Sequence, residues 1–234
     1  MEQSYKNITY LFIAIFLVIF AGFYKTYFGL FPSFDDVTIT QHIHSALFML
    51  WFLLLIVQPV LIRNKNLVLH RSLGRFSYVL VPLLVGSIFY IAKGFYHKMI
   101  VDSPVEKIVP MLFVPFYQII DFVILYLLAI YHKRFTPYHM RYMIATSLAI
   151  VGAAVRRIFT KLFGLSSLDA FLYTFFVTDL VLVALIMYDI QYKKDWKPYF
   201  ISLVIILLSQ AAYYIVPQTA FWIKWCGLFA ETFF

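Results

Sequence analysis

The 234-residue chain is short of most things that a soluble domain or a familiar catalytic centre is built from. It carries one cysteine, Cys226, which excludes an internal disulfide and a cysteine-based metal cage. Charged residues make up 13% of the sequence against 63% hydrophobic, far too little polar surface for a soluble domain of this length. There is no H-E-x-x-H zinc motif, no G-x-S-x-G elbow, no P-loop and no dinucleotide glycine fingerprint. The three histidine boxes of membrane desaturases are absent, and the last long apolar run has no lysine to form a retinal Schiff base. No internal repeat, low-complexity tract or lipidation motif is present. The motif set leaves catalysis open.

What the chain has in abundance is long apolar stretches. A run near twenty residues crosses about 30 Å of hydrocarbon as a helix. Seven such runs are legible, at about 8–30, 40–62, 76–96, 108–131, 139–160, 168–190 and 198–216. Short linkers with Pro, Gly, Asp or Lys join them, so no soluble domain is inserted. The pattern predicts one all-α integral membrane domain over 1–234, a polytopic bundle of about seven transmembrane helices. The first run is too long for a signal core and lacks a small-x-small cleavage site, so it reads as a retained helix. Pro217 ends the seventh run. The tail 218–234, with Trp222, Lys224 and Trp225 among apolar residues, predicts an interfacial helix or a partial re-entry.

The formal charge of +8 sits in short loops between the runs, a signal of membrane topology rather than of nucleic-acid binding. With the N-terminus inside, 11 Lys and Arg fall on the inner side and 8 on the outer. This predicts a cytoplasmic N-terminus and an outer C-terminus, in what reads as a bacterial inner membrane. The partners expected are membrane lipids and either a small hydrophobic ligand or a membrane-complex partner.

Strongly polar side chains inside a span are costly and tend to face the bundle interior, which makes them the candidates for function. His44 and Gln58 lie fourteen residues apart in the second run, close to four helical turns, and share a face with Phe48, Trp51 and Leu55 between them. Four-helix cytochromes use this spacing for paired haem histidines, although here the second position is Gln. The plainer alternative is a cap or interhelical hydrogen bonds at each position. His70 and Arg71 fall in the inner loop before the third run, and His139 and Arg141 just before the fifth. Two histidines from two inner loops are thereby placed to meet, as axial ligands to a haem or around a quinone or lipid headgroup. The alternative for the arginines is topology and snorkelling to phosphates. Asp121 lies mid-span in the fourth run and Asp179 mid-span in the sixth, each expected to be protonated or paired, with His44, Gln58, Arg156 or Arg157 as partners. They suggest a proton path, or buried pairs that fix helix register. Arg157 is eighteen residues after His139, on the same face at the opposite depth.

Over about 40–160 the pattern resembles an uncharacterised bacterial integral-membrane family known as domain of unknown function twenty-three-zero-six. The likeness is carried by His44 and Gln58, by His70-Arg71-Ser72-Leu73-Gly74-Arg75, by His139-Met140-Arg141-Tyr142-Met143, and by Arg157. The family shows an early histidine and a late glutamine in one helix, an H-R-W-x-G-R loop and an H-x-x-W-M helix start. Ser72 and Tyr142 stand where it has tryptophan. The resemblance implies a membrane bundle and no established activity. A fainter likeness, through histidines near both faces, is to membrane b-type cytochromes.

The expectation is therefore a redox-type bundle binding haem b or quinone. His44, His70 and His139 are the candidate ligands of a haem iron or proton carriers. Arg71, Arg141 and Arg157 are placed to meet propionates or a quinone oxygen, with Gln58 completing the set. The alternatives are a proton-coupled transporter or channel-like subunit using Asp121 and Asp179, and a structural or assembly subunit held by helix-to-helix contacts.

Overall fold

The computed structural model describes residues 5–234. Those residues form nine α-helices and no strand. They are α1 (Ile8–Tyr24), α2 (Ile39–Arg63), α3 (Leu67–Met99), α4 (Val105–Ile108), α5 (Phe113–Tyr131), α6 (Thr136–Lys161), α7 (Ser167–Gln191), α8 (Lys197–Ile215) and α9 (Ala220–Phe233). A 3-10 turn fuses α4 and α5 into one apolar rod, Val105–Tyr131. Six helical rods are long and apolar enough to cross a membrane: α2, α3, α4–α5, α6, α7 and α8 with the turn that follows it. The chain is an all-α membrane bundle.

The first run differs from the expectation. Helix α1 is apolar but only 17 residues long. At 1.5 Å per residue it reaches about 26 Å, less than the usual hydrocarbon thickness. It stops at Tyr24, and a separate 3-10 turn covers Phe28–Leu30. Hydropathy alone merged the two, because the residues between them are mostly apolar.

Two helix starts also move. The third helix begins at Leu67, because the Asn66 side chain accepts the Leu69 N–H at 3.1 Å and caps the first turn. His70, Arg71 and Gly74 thus ride on the first two turns of α3 rather than in a loop. The sixth helix starts at Thr136 with Pro137 in its first turn, where a missing N–H costs nothing. His139 and Arg141 are accordingly helical too. In both places the polar first turns fall below any hydropathy threshold while still being helix.

Helix α6 is the axis of the bundle, packing on α1, α5, α7 and α8, while α2 pairs with α3 along its length. Glycine allows the closest crossing. A Cβ on Gly22 of α1 would sit 2.8 Å from the Cα of Ala154 on α6 and closer still to its carbonyl oxygen. The C-terminal tail forms a helix, α9, and one of its faces packs on the bundle. In α9 the side chains of Trp222, Cys226 and Ala230 are buried, and Trp222 Nε1 donates to the Val109 carbonyl at 3.0 Å. Phe234 reaches Phe89 and Tyr96 of α3, with ring centroids 5.1 and 5.6 Å apart.

Candidate ligand-binding cavity

Four of the long helices and α1 enclose a cavity of about 480 Å³ at the end of the bundle that holds the C-terminus of α6. Its walls come from α1, the following connection, α2, α3, α5 and α6. The antiparallel run of the helices sorts the lining by depth. Towards the bundle end lie Thr26, Gln41, Arg156, Arg157, Thr160 and Lys161; deeper lie Phe16, Ile19, Phe48, Phe52 and Ile150. His44, Ser45 and Gln118 sit between. The cations of the lining all lie at one end, beside Phe23, Tyr27, Phe28 and Val37, and the deep end is aromatic and aliphatic.

The polar end is rich in donors. Arg157 lies with its guanidinium carbon 4.3 Å from the Phe23 ring centroid and gives one N–H to the Ala153 carbonyl at 3.1 Å. Arg156 lies 4.8 Å over the Phe171 ring. These π faces hold each cation in place. No carboxylate of the described residues pairs with either arginine; the one ion pair among them is Arg141–Asp189. Lys25 Nζ donates to the Lys161 carbonyl at 2.9 Å, which adds a further cation to the rim. The Thr26 hydroxyl oxygen is buried without a hydrogen-bond partner.

The residues singled out from the sequence divide between the two ends of the bundle. His44 lines the cavity, and its Nδ1 meets the Ser87 hydroxyl of α3 at 3.0 Å. His42, two residues earlier, turns away to the Tyr27 hydroxyl at 2.9 Å. Gln58 lies at the other end, where its Nε2 donates to the His70 carbonyl at 3.2 Å. His139, on the first turn of α6, lies at that end too. His139 Nδ1 is engaged by the Ala129 carbonyl at 2.8 Å, while His70 Nδ1 and Gln58 Oε1 are buried without partners. Arg71 is exposed on the outside of α3.

This separation sets His44 apart from the end of the bundle that holds His70. His44 touches α3 at Ser87, whereas His70 is seventeen residues back along the same helix, about 25 Å at 1.5 Å per residue. The two cannot bind one iron. The described residues also hold no cluster of three or more His, Cys, Asp or Glu able to take a metal ion. The cavity offers one imidazole, so it does not fit a bis-histidine haem.

Arg141 is likewise not available to a propionate. It is fully buried against Asp189, with Nε 2.6 Å from Oδ2. Asp189 was not singled out in the sequence, because it ends the sixth apolar run, where an acid reads as an ordinary membrane-edge residue. The partners expected for the two mid-span carboxylates also differ. Asp121 takes the Ser209 hydroxyl at 2.6 Å, and Asp179 takes Gln210 Nε2 at 2.9 Å. Both partners are neutral neighbours on α8, and no histidine or arginine reaches them. Asp179 and Gln210 open into a second hollow between α7 and α8, rimmed by Leu172, Phe176, Leu207 and Tyr214.

No family model matches the chain, and no curated protein or solved structure matches it either.

Proposed function

We propose that the protein binds a head-and-tail molecule within the membrane, placing the tail among Phe16, Phe48, Phe52 and Ile150 and the head among His44, Gln118, Arg156 and Arg157. The uneven lining of the cavity carries this reading: apolar side chains run throughout, and the cations are confined to one end. Ligand sites of this kind pair a mostly apolar wall with a few fixed polar groups. The head must accept hydrogen bonds, since arginine has no acceptor and five donors. A quinone meets that requirement through its carbonyl oxygens and is the redox form of the reading. Haem b is disfavoured by the single imidazole. The topology that goes with this reading has the N-terminus in the cytoplasm and the cavity opening on the outer side of a bacterial inner membrane, as the Lys and Arg distribution suggests.

The test is extraction of the protein purified in a mild detergent, followed by mass spectrometry of the organic phase. A stoichiometric amphiphile is expected from the native chain and its loss from Ala153→Trp, which fills the cavity wall. Equal recovery from both would remove the reading.

A second reading is supported by one separate observation. Asp121 and Asp179 meet neutral donors and no cation, as a carboxyl that takes up and gives back a proton at depth would. It makes the bundle a proton-coupled carrier. Proteoliposomes under a pH gradient would show proton flux, reduced in Asp121→Asn and Asp179→Asn; flux the same in all three would sink it.

A further inference from the structure

We infer that the head of the bound molecule is an anion, a carboxylate or a phosphate monoester, and that Arg156 and Arg157 are its recognition pair. The inference rests on the reading of the cavity as an amphiphile site and adds the charge class of the ligand.

Three features of the cavity point the same way. The lining contains Arg156, Arg157 and Lys161 and, among the described residues, not one Asp or Glu. Neither arginine has a carboxylate within salt-bridge distance among the described residues. Of the donors on the two guanidinium groups, one is used among the described residues, on the Ala153 carbonyl. Cations so placed need a counter-charge. The faces of Phe23 and Phe171 supply part of that and fix the two groups in position, without using their N–H donors. Consecutive residues on a helix point about 100° apart, so Arg156 and Arg157 approach from two directions and can both face one head. Guanidinium forks suit the paired oxygens of a carboxylate or phosphate. The unpartnered Thr26 hydroxyl at the same end supplies another donor. A neutral quinone would satisfy some of these donors and leave the charge uncompensated.

Binding of matched amphiphiles to the full chain in a neutral maltoside detergent tests this. The probes are oleate, oleyl phosphate, oleyl alcohol, a decyl-tailed quinone and inorganic phosphate, read by native mass spectrometry and by thermal shift. The anionic probes should bind at least tenfold more tightly than oleyl alcohol or the quinone, with the margin shrinking as salt rises. Arg157→Gln should erase about tenfold to a hundredfold of anion affinity and lower that of oleyl alcohol far less, while Arg157→Lys restores part of the anion affinity. Should the glutamine variant not fold, the salt dependence of the native chain and the Lys variant still decide. Preference between oleate and oleyl phosphate assigns the head as carboxylate or phosphate. Equal binding of neutral and anionic amphiphiles would overturn the anion assignment and leave the amphiphile site standing. Inorganic phosphate binding as tightly as oleyl phosphate would overturn the amphiphile site and leave the anion. No binding by any probe would overturn both.

Discussion

Arg141 and Asp189, forty-eight residues apart, face each other as a two-pronged pair at the end of the bundle opposite the cavity: Nε to Oδ2 is 2.6 Å and Nη2 to Oδ1 is 2.8 Å. Neither side chain is exposed. The Tyr5 hydroxyl donates to the same carboxylate at 2.7 Å, and the Arg141 guanidinium lies 4.8 Å over the Tyr5 ring. Burial holds the Tyr5 phenol above its ordinary pKa. Through these contacts the segment before α1 is tied to α6 and α7. Arg141 is thus a structural group, and the cationic chemistry of the fold is left to Arg156 and Arg157, about four turns further along α6.

Breaking that pair on one side should cost far more than removing it whole. Asp189→Asn takes away the carboxylate charge that meets two donors of a buried guanidinium, a change that typically costs about 3–5 kcal/mol. Tyr5→Phe removes one hydrogen bond to the carboxylate and should cost about 1.5–3 kcal/mol at most. The double variant Arg141→Met, Asp189→Leu should recover much of the loss in Asp189→Asn, because apolar residues of similar size replace both charges. Thermal unfolding in detergent gives the ranking, and a double variant no more stable than Asp189→Asn would contradict it.

At the opposite end, the wall of the cavity depends on how closely α1 lies on α6. Gly22→Ala places a methyl group against the backbone of Ala154, where nothing flexible can yield. The helices must separate, at a cost of about 1–3 kcal/mol by analogy with overpacked cores. Phe23 then moves away from Arg157, and the cavity widens. Gly22→Ala should lower both the unfolding temperature and the affinity for the retained amphiphile. Gly86→Ala, whose added Cβ meets nothing within 4 Å, is the control and should lower neither.

The sequence announced the bundle because hydropathy is a property of single stretches. Six of the runs have a long helix at their core, and the displaced starts of α3 and α6 fall where the Asn66 cap and Pro137, rather than apolar residues, define the helix. The site was legible only in part. His44 and Arg157 were picked out because polar groups at depth are conspicuous, and both line the cavity. The pairing of Arg141 with Asp189, or of Asp121 with Ser209, joins residues forty-eight and eighty-eight positions apart. Nothing local in the chain encodes those distances. Asp189 stayed hidden because an acid at the edge of an apolar run looks the same whether it faces water or an arginine. Arg156 and Arg157 gave the better clue, as two adjacent charges inside the measured length of a span.

The single thiol offers a check on α9. Cys226 is fully buried, and burial pushes its pKa up from an ordinary 9.0 to about 11. At pH 8 the thiolate is then about one part in a thousand, against about one in ten for an ordinary thiol, and the thiolate is the reactive form. Maleimide labelling of the folded protein at pH 8 should be slower than in denaturing detergent by at least about a hundredfold. The sign of the stability effect follows from the same shift. The unfolded thiol ionises first as pH rises past 9, so this group's contribution to stability is complete below that value and declines towards pH 11. Rapid labelling of the native protein would mean that α9 does not pack on the 3-10 turn ahead of α5.

Gln58 presents a different balance. Its Nε2 makes one hydrogen bond, of 3.2 Å, to the His70 carbonyl, and its Oε1 is buried with no partner. An unmet buried acceptor costs about 1–3 kcal/mol, whereas one neutral hydrogen bond returns about 1 kcal/mol. Gln58→Met keeps the length of the side chain and removes both groups. It should therefore leave stability unchanged or raise it by up to about 1 kcal/mol. Gln58→Ala, which opens a hole between α2 and α3, should lower stability by about 1–3 kcal/mol. The His70 carbonyl loses little in either case, because it can still accept the i+4 N–H of its own helix. A loss of several kcal/mol in the methionine variant, measured by denaturant or thermal unfolding, would mean that Oε1 is satisfied by a group held between α2, α3 and α6. The end of the bundle with His70 and His139 would then be a second binding site rather than packing.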